Sequence, residues 1–421
     1  MRRLSQVRES TARRPAWLSL DRKQLTFLSS AVESGESYMG IPTNGNTPVI
    51  IEPVSNKKDL NTFVRLPGLL YRDDPHWIEP LHFERRMHLA RKNPVFAHVD
   101  WQGWIAWSQG RPVGRVSAQV DHLHRELHGS DTGHFGMLEA VDDPAVFQGL
   151  LNVAEHWLRQ HGASRVTGPF SLTINEESGL LVNGFDSPPS AMMGHGKPYY
   201  DSRIAALGYQ PATDLLAYWM RTDELNFPPA LRRMMDRWQG RIRLRTLDRS
   251  RFGEEMQLLR DIFNDAWSAN WGFVPFTEAE FEELGNNLKL LVPKDLLYIA
   301  EVDGEPSAFI VALPNLNELI APMRGRLLPF GWLRLLWRLK VRGAKTARVP
   351  LMGVRRAHQF SRLGPTLALC LIKALKPPFV RRGIEALEMS WILEGNAGMR
   401  NILEHIGARE YKRYRVYEKQ I

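Results

Sequence analysis

The sequence predicts an α/β (α+β) protein built as two successive modules, each a mixed sheet flanked by helices. Three observations carry this. The chain has 421 residues and is 43% apolar, enough for two cores, and a single domain of that size would be unusual. A strand–loop–helix–strand–turn–helix–strand order runs through residues 349–417, and a looser copy of it runs through residues 133–220. Hairpin signals at Gly110-Arg111 and Asp303-Gly304 put antiparallel strands ahead of each copy.

Residues 1–48 carry Arg2, Arg3, Arg8, Arg13, Arg14, Arg22 and Lys23, followed by a Ser/Gly/Asn/Thr-rich run, and read as a basic, disordered arm. Asp21-Arg22-Lys23 interrupts any apolar signal core after the arginine pair. No run of about 20 apolar residues occurs, so no membrane-spanning helix is expected. The first module occupies 49–220: a strand at 49–54, helices at 57–71 and 80–92, strands at 101–109, 112–121 and 133–139, an amphipathic helix at 145–161, a strand at 164–172, a helix at 199–208 and a strand at 215–220. A linker is expected at 221–241. The second module, 242–421, opens with a strand at 242–247, helices at 252–267 and 277–284, and a hairpin at 296–312.

The formal charge of +9 favours an anionic partner such as a nucleotide cofactor's phosphates, a lipid surface or nucleic acid. The aromatics cluster with leucines instead of interleaving with Arg along strands, so no nucleic acid is expected. One cysteine, Cys370 in an apolar helix, excludes a disulfide framework and fits a reducing cytoplasm. The 13 histidines show no convincing ligand pairing, and His122, His124 and His128 read as a loose surface cluster; no metal is expected.

Spacing suggests chemistry most clearly between Arg348 and Tyr417. A short buried strand at 348–354 runs into a polar, basic loop, 355–365, that ends in Gly364-Pro365, and an apolar helix follows to Lys376. A helix N-terminus behind a Gly-containing loop presents free backbone N–H groups and a partial positive charge. Arg355, Arg356 and Arg362 add full charges, so the expected guest is a phosphate or pyrophosphate. Pro365 removes one donor. The competing reading is a basic turn that binds nothing. A strand at 384–393, a turn at 394–398, a helix ending at Gly407 and a last strand complete the order.

That order resembles the second half of the GNAT (acyl-CoA N-acyltransferase) fold, with Arg362-Leu363-Gly364 where that family has its pyrophosphate loop and Asn396 ahead of a helix ending Ile406-Gly407-Ala408. The resemblance implies that acyl-CoA is bound by Val354, Arg355, Arg356, Arg362, Leu363, Gly364, Thr366 and Asn396, as a co-substrate and not as a permanently bound cofactor. Two departures stand out: Ser361 and Thr366 fill the outer places of the family loop, and Leu403 stands where many members carry a Tyr general acid. In the first module the corresponding loop, 139–144, is acidic and should not bind CoA.

Two segments exceed a minimal module. Residues 168–200 form a long irregular loop holding Asn175, Glu176, Glu177, Asp186, His195, Tyr199 and Tyr200. Its run from Gly168-Pro169-Phe170 through Ile174-Asn175-Glu176-Glu177 to Pro198-Tyr199-Tyr200 resembles a group of two-module bacterial GNAT-like proteins that includes the bacterial ceramide synthases, a likeness extending over most of 49–421. Its carboxylates are placed to hold or deprotonate an amine; the plainer alternative is a loop packed at the domain joint with solvated acids. The second segment, 320–345, reads as a basic amphipathic helix in which Trp332 and Trp337 sit among leucines beside Arg334, Arg338, Lys340 and Arg342, a membrane-surface pattern. A helix packed on its own domain is the alternative.

The combined expectation is an N-acyltransferase moving an acyl group from acyl-CoA to an amine. Glu388, then Glu177 and His195, are the candidates for removing the amine proton. Asn175, Glu176 and Tyr199 are candidates for the amine site, with the acyl chain under the Trp332/Trp337 helix. The likeness to ceramide synthases implies a sphingoid-type lipid amine and a cytoplasmic enzyme peripheral on the inner face of the membrane. A catalytically inactive GNAT-fold scaffold is the rival.

Overall fold

The computed structural model describes residues 38–42, 48–129, 131–327 and 329–421. Most of the basic arm expected at 1–48 lies outside them. Residues 40–421 form one compact unit.

The strands are β1 (Tyr38–Pro42), β2 (Pro48–Pro53), β3 (Val99–Ser108), β4 (Arg111–Asp121), β5 (Thr132–Ala140), β6 (Arg165–Gly168), β7 (Leu180–Asn183), β8 (Gln210–Arg221), β9 (Ile242–Thr246), β10 (Leu297–Val302), β11 (Glu305–Pro314), β12 (Thr346–Val354), β13 (Ala386–Leu393) and β14 (Arg409–Gln420). From β2 onward they make one continuous sheet in the order β2-β3-β4-β5-β6-β14-β8-β13-β12-β11-β10-β9, with β7 also against β14. Among the described residues from β2 onward, β5–β6 and β12–β13 are the strand pairs that run parallel. Each parallel pair is joined by a helix, Pro144–Gln160 in the first half and Leu363–Arg382 in the second, as a parallel crossover requires.

The centre of the sheet joins the halves by exchange. β8, which ends the first run of elements, pairs with β13 of the second (Met389 opposite Tyr218), while β14, the last strand of the chain, lies between β6 and β8. Each half is therefore completed by a strand next to the other. Residues 221–241 contribute Leu225, Phe227 and Met235 to the second core.

Sequence explains the element ends. Asn56 caps the helix Lys57–Leu70 by accepting from the N–H groups of Lys58 and Asp59 at 2.9 and 3.1 Å, and Thr277 with Glu280 forms a capping box on Glu278–Leu291. The helix Leu363–Arg382 runs past the expected stop at Lys376, through Pro377 and Pro378, to a left-handed Gly383. Two prolines cost helix hydrogen bonds. Pro378 and Phe379 are buried in the core beside Leu367, Leu371 and Leu375, and that burial holds the helix on. Among the described residues this is the one helix long and apolar enough to cross a bilayer, and 61% of its apolar window is buried inside the protein.

The loop between β6 and β8 is ordered by buried charges. Lys412 of β14, with no exposed surface, donates to the carbonyls of Gly184 and Ser187, the latter at 2.8 Å. Arg348 of β12, 1% exposed, donates to the Ala191 carbonyl at 2.9 Å.

Candidate functional site

β12 and β13 stay in parallel register only from Thr346 opposite Ala386 to Val349 opposite Met389. Beyond that point β12 continues along β11, while the pairing of β13 with β8 is interrupted between Met389 and Ile392. The strands part, and a cleft of about 540 Å³ opens between Val349–Val354 on one side and Met389–Leu393 on the other. Its third wall is the long loop, through Phe170, Ile174, Asn175 and Ser178, facing Trp267 and Trp271. Strands that stop pairing turn main-chain donors and acceptors toward whatever lies between them.

The outer end of the cleft reaches Val354, Gly364, Asn396 and Leu403. Here the helix Leu363–Arg382 begins with no cap from the Arg362 side chain; Ser361 accepts from the Leu363 N–H at 3.1 Å, and the N–H groups of the rest of the first turn have no side-chain partner among the described residues. Arg362 is exposed, and its guanidinium has no partner among the described residues. Arg356 is also exposed; its backbone N–H donates to Asp265 at 2.8 Å and its guanidinium to Ser268 at 3.3 Å. Arg355 spends its Nε on the Pro306 carbonyl at 2.9 Å. Thr366 is fully buried, with its hydroxyl on the Arg362 carbonyl at 2.9 Å, and Leu363 is buried too; both support the turn from behind. Gly364 is glycine for packing: a Cβ there would stand 2.6 Å from the His358 carbonyl oxygen. Asn396 caps the helix Ala397–His405 through the Met399 N–H at 3.1 Å.

At the inner end, Glu388 has no exposed surface and does not line the cleft. Ser390, two residues on and on the same face of β13, does line it. The Ser390 hydroxyl donates to Glu388 Oε1 at 2.5 Å and accepts from Arg348 Nε at 2.9 Å. Tyr411 donates to the other Glu388 oxygen. Burial raises the Tyr411 phenol, and Glu388 beside it raises it further, so it stays protonated. Burial lowers the Arg348 guanidinium from its ordinary value, against Glu388. Ser390 thus stands between the cleft and a sealed carboxylate, able to take a proton from the cleft as it gives its own to Glu388.

The other sequence candidates lie elsewhere. Glu177 is paired with Arg85; burial pushes its carboxyl up, and Arg85 outweighs that and holds it below the usual range. Glu176 sits 2.7 Å from His88, raised by burial despite that partner. These two acids tie the loop to the helix His82–His88. His195 is buried with Nε2 3.2 Å from Asp74, against Tyr71 and Trp77, and burial lowers its imidazole below the ordinary value. Tyr199 packs on Phe147 and Tyr200 and donates to the Ala140 carbonyl at 2.8 Å. None of these four lines the cleft, whereas Asn175 does, with its amide on the Val274 carbonyl at 2.9 Å. Trp332 and Trp337 are 48% and 56% exposed and do not line the cleft, so they form no roof over an acyl chain. Ser390, Arg348, Tyr411 and Trp271 are site residues that sequence reasoning passed over; Ser390 was readable from its two-residue spacing to Glu388.

No family model matches the sequence. Over 383 residues the chain is 47% identical to the bacterial ceramide synthase of Caulobacter vibrioides, covering 90% of this chain and 99% of that protein. The chain belongs to the bacterial ceramide synthase family. Protein YghO of Escherichia coli is 59% identical over 372 residues, 88% of this chain and 95% of that protein. Among solved structures, a tandem GNAT protein from the clavulanic acid biosynthesis pathway superposes with a TM-score of 0.53 at 14% identity, over 88% of this chain and 98% of that one. A GCN5-related N-acetyltransferase from Sphaerobacter thermophilus gives 0.51 at 13%, over 88% and 95%. The family member described here thus has the GNAT fold anticipated from its sequence, and it is an N-acyltransferase.

Proposed function

We propose that the protein transfers a long acyl chain from acyl-CoA to the nitrogen of a sphingoid-type lipid amine. The observation that carries this is the cleft itself. A helix N-terminus reaches its outer end through Gly364 and Pro365, with the unpartnered Arg362 two residues before Gly364 though not itself in the lining, suited to a pyrophosphate, and Ser390 backed by Glu388 lies at its inner end, suited to an amine. In this reading the thioester carbonyl sits just beyond the Val349–Met389 pair, where the strands part. The amine nitrogen attacks it; the C–N bond forms, the amine proton passes through Ser390 to Glu388, and the C–S bond breaks. Leu403 offers no hydroxyl, so the leaving thiolate takes its proton from water.

A lipid substrate is supported by the segment after β11. Phe330, Trp332, Leu333, Leu336, Trp337 and Val341 are all exposed, and Arg334, Lys340, Arg342 and Lys345 stand exposed beside them. That is the composition of a helix lying in the headgroup layer of an anionic membrane, where both substrates partition. The deciding experiment is release of free CoA thiol from palmitoyl-CoA in the presence of a long-chain amino alcohol. Turnover in the wild type and its loss in Ser390→Ala support the reading. An unchanged thioester in the wild type returns the chain to the inactive scaffold.

A further inference from the structure

The first half contains its own version of the parted strands. β5 and β6 pair in parallel from Thr132 opposite Arg165 to His134 opposite Thr167 and then separate, as β12 and β13 do in the second half. Where the second half has its donor cleft, the first has a cavity of about 210 Å³. The polar part of its lining is Asp121, His124, His128, His134, Arg165 and Thr167. Of the cluster His122, His124 and His128 expected at the surface, His122 and His128 are exposed, but His124 is 7% exposed, and its ring meets that of His134, 3% exposed, edge to face at 4.6 Å.

On two of these residues a buried polar atom, His124 Nδ1 and Arg165 Nε, has no hydrogen-bond partner, although Arg165 Nη1 lies 3.8 Å from Glu418. Buried polar groups are nearly always satisfied, so unanswered ones mark a place for a guest. The other groups fix its chemistry. Burial lowers the His124 imidazole to about 4 and His134 well below its ordinary value, so both are neutral at pH 7. A neutral imidazole offers one donor and one acceptor, the complement of a hydroxyl. His134 already uses Nδ1 on the Thr167 hydroxyl at 2.8 Å. Asp121 Oδ1 takes His98 at 2.9 Å and the N–H groups of Leu123 and His124, and the charge of the carboxylate is answered by His98, whose imidazole is raised to about 9. With the Asp121 charge balanced by His98 and Arg165 in the same lining, an ammonium is disfavoured, and the two neutral imidazoles favour a hydroxyl. No group among the described residues is arranged to hold a metal ion.

Phe170, Ile174 and Trp271 line both this cavity and the donor cleft. We propose that the cavity holds the hydroxyl groups of an amino-alcohol acceptor and so presents its nitrogen across this shared wall to the donor cleft. The inference rests on the N-acyl transfer reading and adds where the acceptor's polar head is held.

The test compares two acceptors of equal chain length, a plain primary alkylamine and a 2-amino-1,3-diol, with palmitoyl-CoA as donor. His124→Phe fills the cavity, and Thr167→Val removes the hydroxyl that orients His134 at nearly constant volume. In both variants KM for the diol rises about tenfold, as expected for one or two lost hydrogen bonds, while KM for the alkylamine and both kcat values hold. Calorimetric titration of the full-length protein with the diol, without donor, shows the same loss of affinity. Equal effects on the two acceptors, or none, overturn the proposal, and so does diol binding by His124→Phe at wild-type affinity. Diol binding that depends on His124 in a wild type that never releases thiol would keep the subsite and sink the transfer reading. Turnover with no discrimination between acceptors would do the reverse.

Discussion

In the proposed mechanism Ser390 and Glu388 divide between them what the reaction asks of a base. The carboxylate is sealed among Tyr411, Ser390 and Arg348, and only the serine hydroxyl meets the cleft. Ser390→Ala removes that hydroxyl, leaves the CoA end untouched, and lowers kcat by about 10²-fold or more with KM for acyl-CoA unchanged. Glu388→Gln lowers kcat comparably and also leaves Arg348, 1% exposed, as an unpaired buried charge; a stability loss of about 3 kcal/mol in a denaturant titration is expected. Wild-type kcat in both variants would remove these residues from the mechanism. Glu388 was legible in the sequence as an acid on the strand beside the expected cleft. Glu177 and His195 were also legible as titratable groups, but their partners Arg85 and Asp74 lie 92 and 121 residues away in sequence, and spacing carries no sign of such pairings.

At the scale of elements, the helix Leu363–Arg382 was recognisable from its apolar run, but not its length, because local rules stop a helix at a proline pair and tertiary burial of Phe379 overrides them. The Gly364 loop was readable as a turn, whereas the reason for its glycine, the His358 carbonyl 2.6 Å from a would-be Cβ, is a matter of packing. Charge reversal at Arg362 is therefore the cleaner probe of the pyrophosphate end. The helix Gly331–Trp337 shows the opposite case: its amphipathic pattern was plain, and the structure leaves its tryptophans exposed. Trp332→Ser/Trp337→Ser is expected to cut co-sedimentation with phosphatidylglycerol-containing vesicles about tenfold or more, while thiol release from a soluble short-chain acyl-CoA holds. Undiminished vesicle binding would place the membrane contact elsewhere.

Over the whole molecule, the tandem order of elements was visible in the sequence, but the exchange of β8 and β14 was not, because strand alternation names a face and not a neighbour. The exchange joins the halves covalently and through the sheet, and His98 adds a charged clasp, with Asp121 at 2.9 Å on one side and Glu280 at 3.2 Å on the other. Burial alone would lower His98, but these two carboxylates raise it to about 9. A raised histidine stabilises the fold in its protonated form: the contribution is complete below about pH 6.5 and disappears as pH rises through about 9. Thermal unfolding followed from pH 6 to about 10 should show a fall in Tm across that window that is reduced in His98→Gln; an identical fall in both would locate the titration in another group.

The central claim is that the parted strands β12 and β13 hold an acyl-CoA whose acyl group leaves on an amine. Free thiol released from palmitoyl-CoA with a long-chain amino alcohol, measured for wild type, Ser390→Ala and Arg362→Glu in parallel, tests it most directly. Turnover in the wild type, a kcat defect in Ser390→Ala and a KM defect for palmitoyl-CoA in Arg362→Glu are expected. Wild-type protein that releases no thiol, or variants that turn over like wild type, would contradict it.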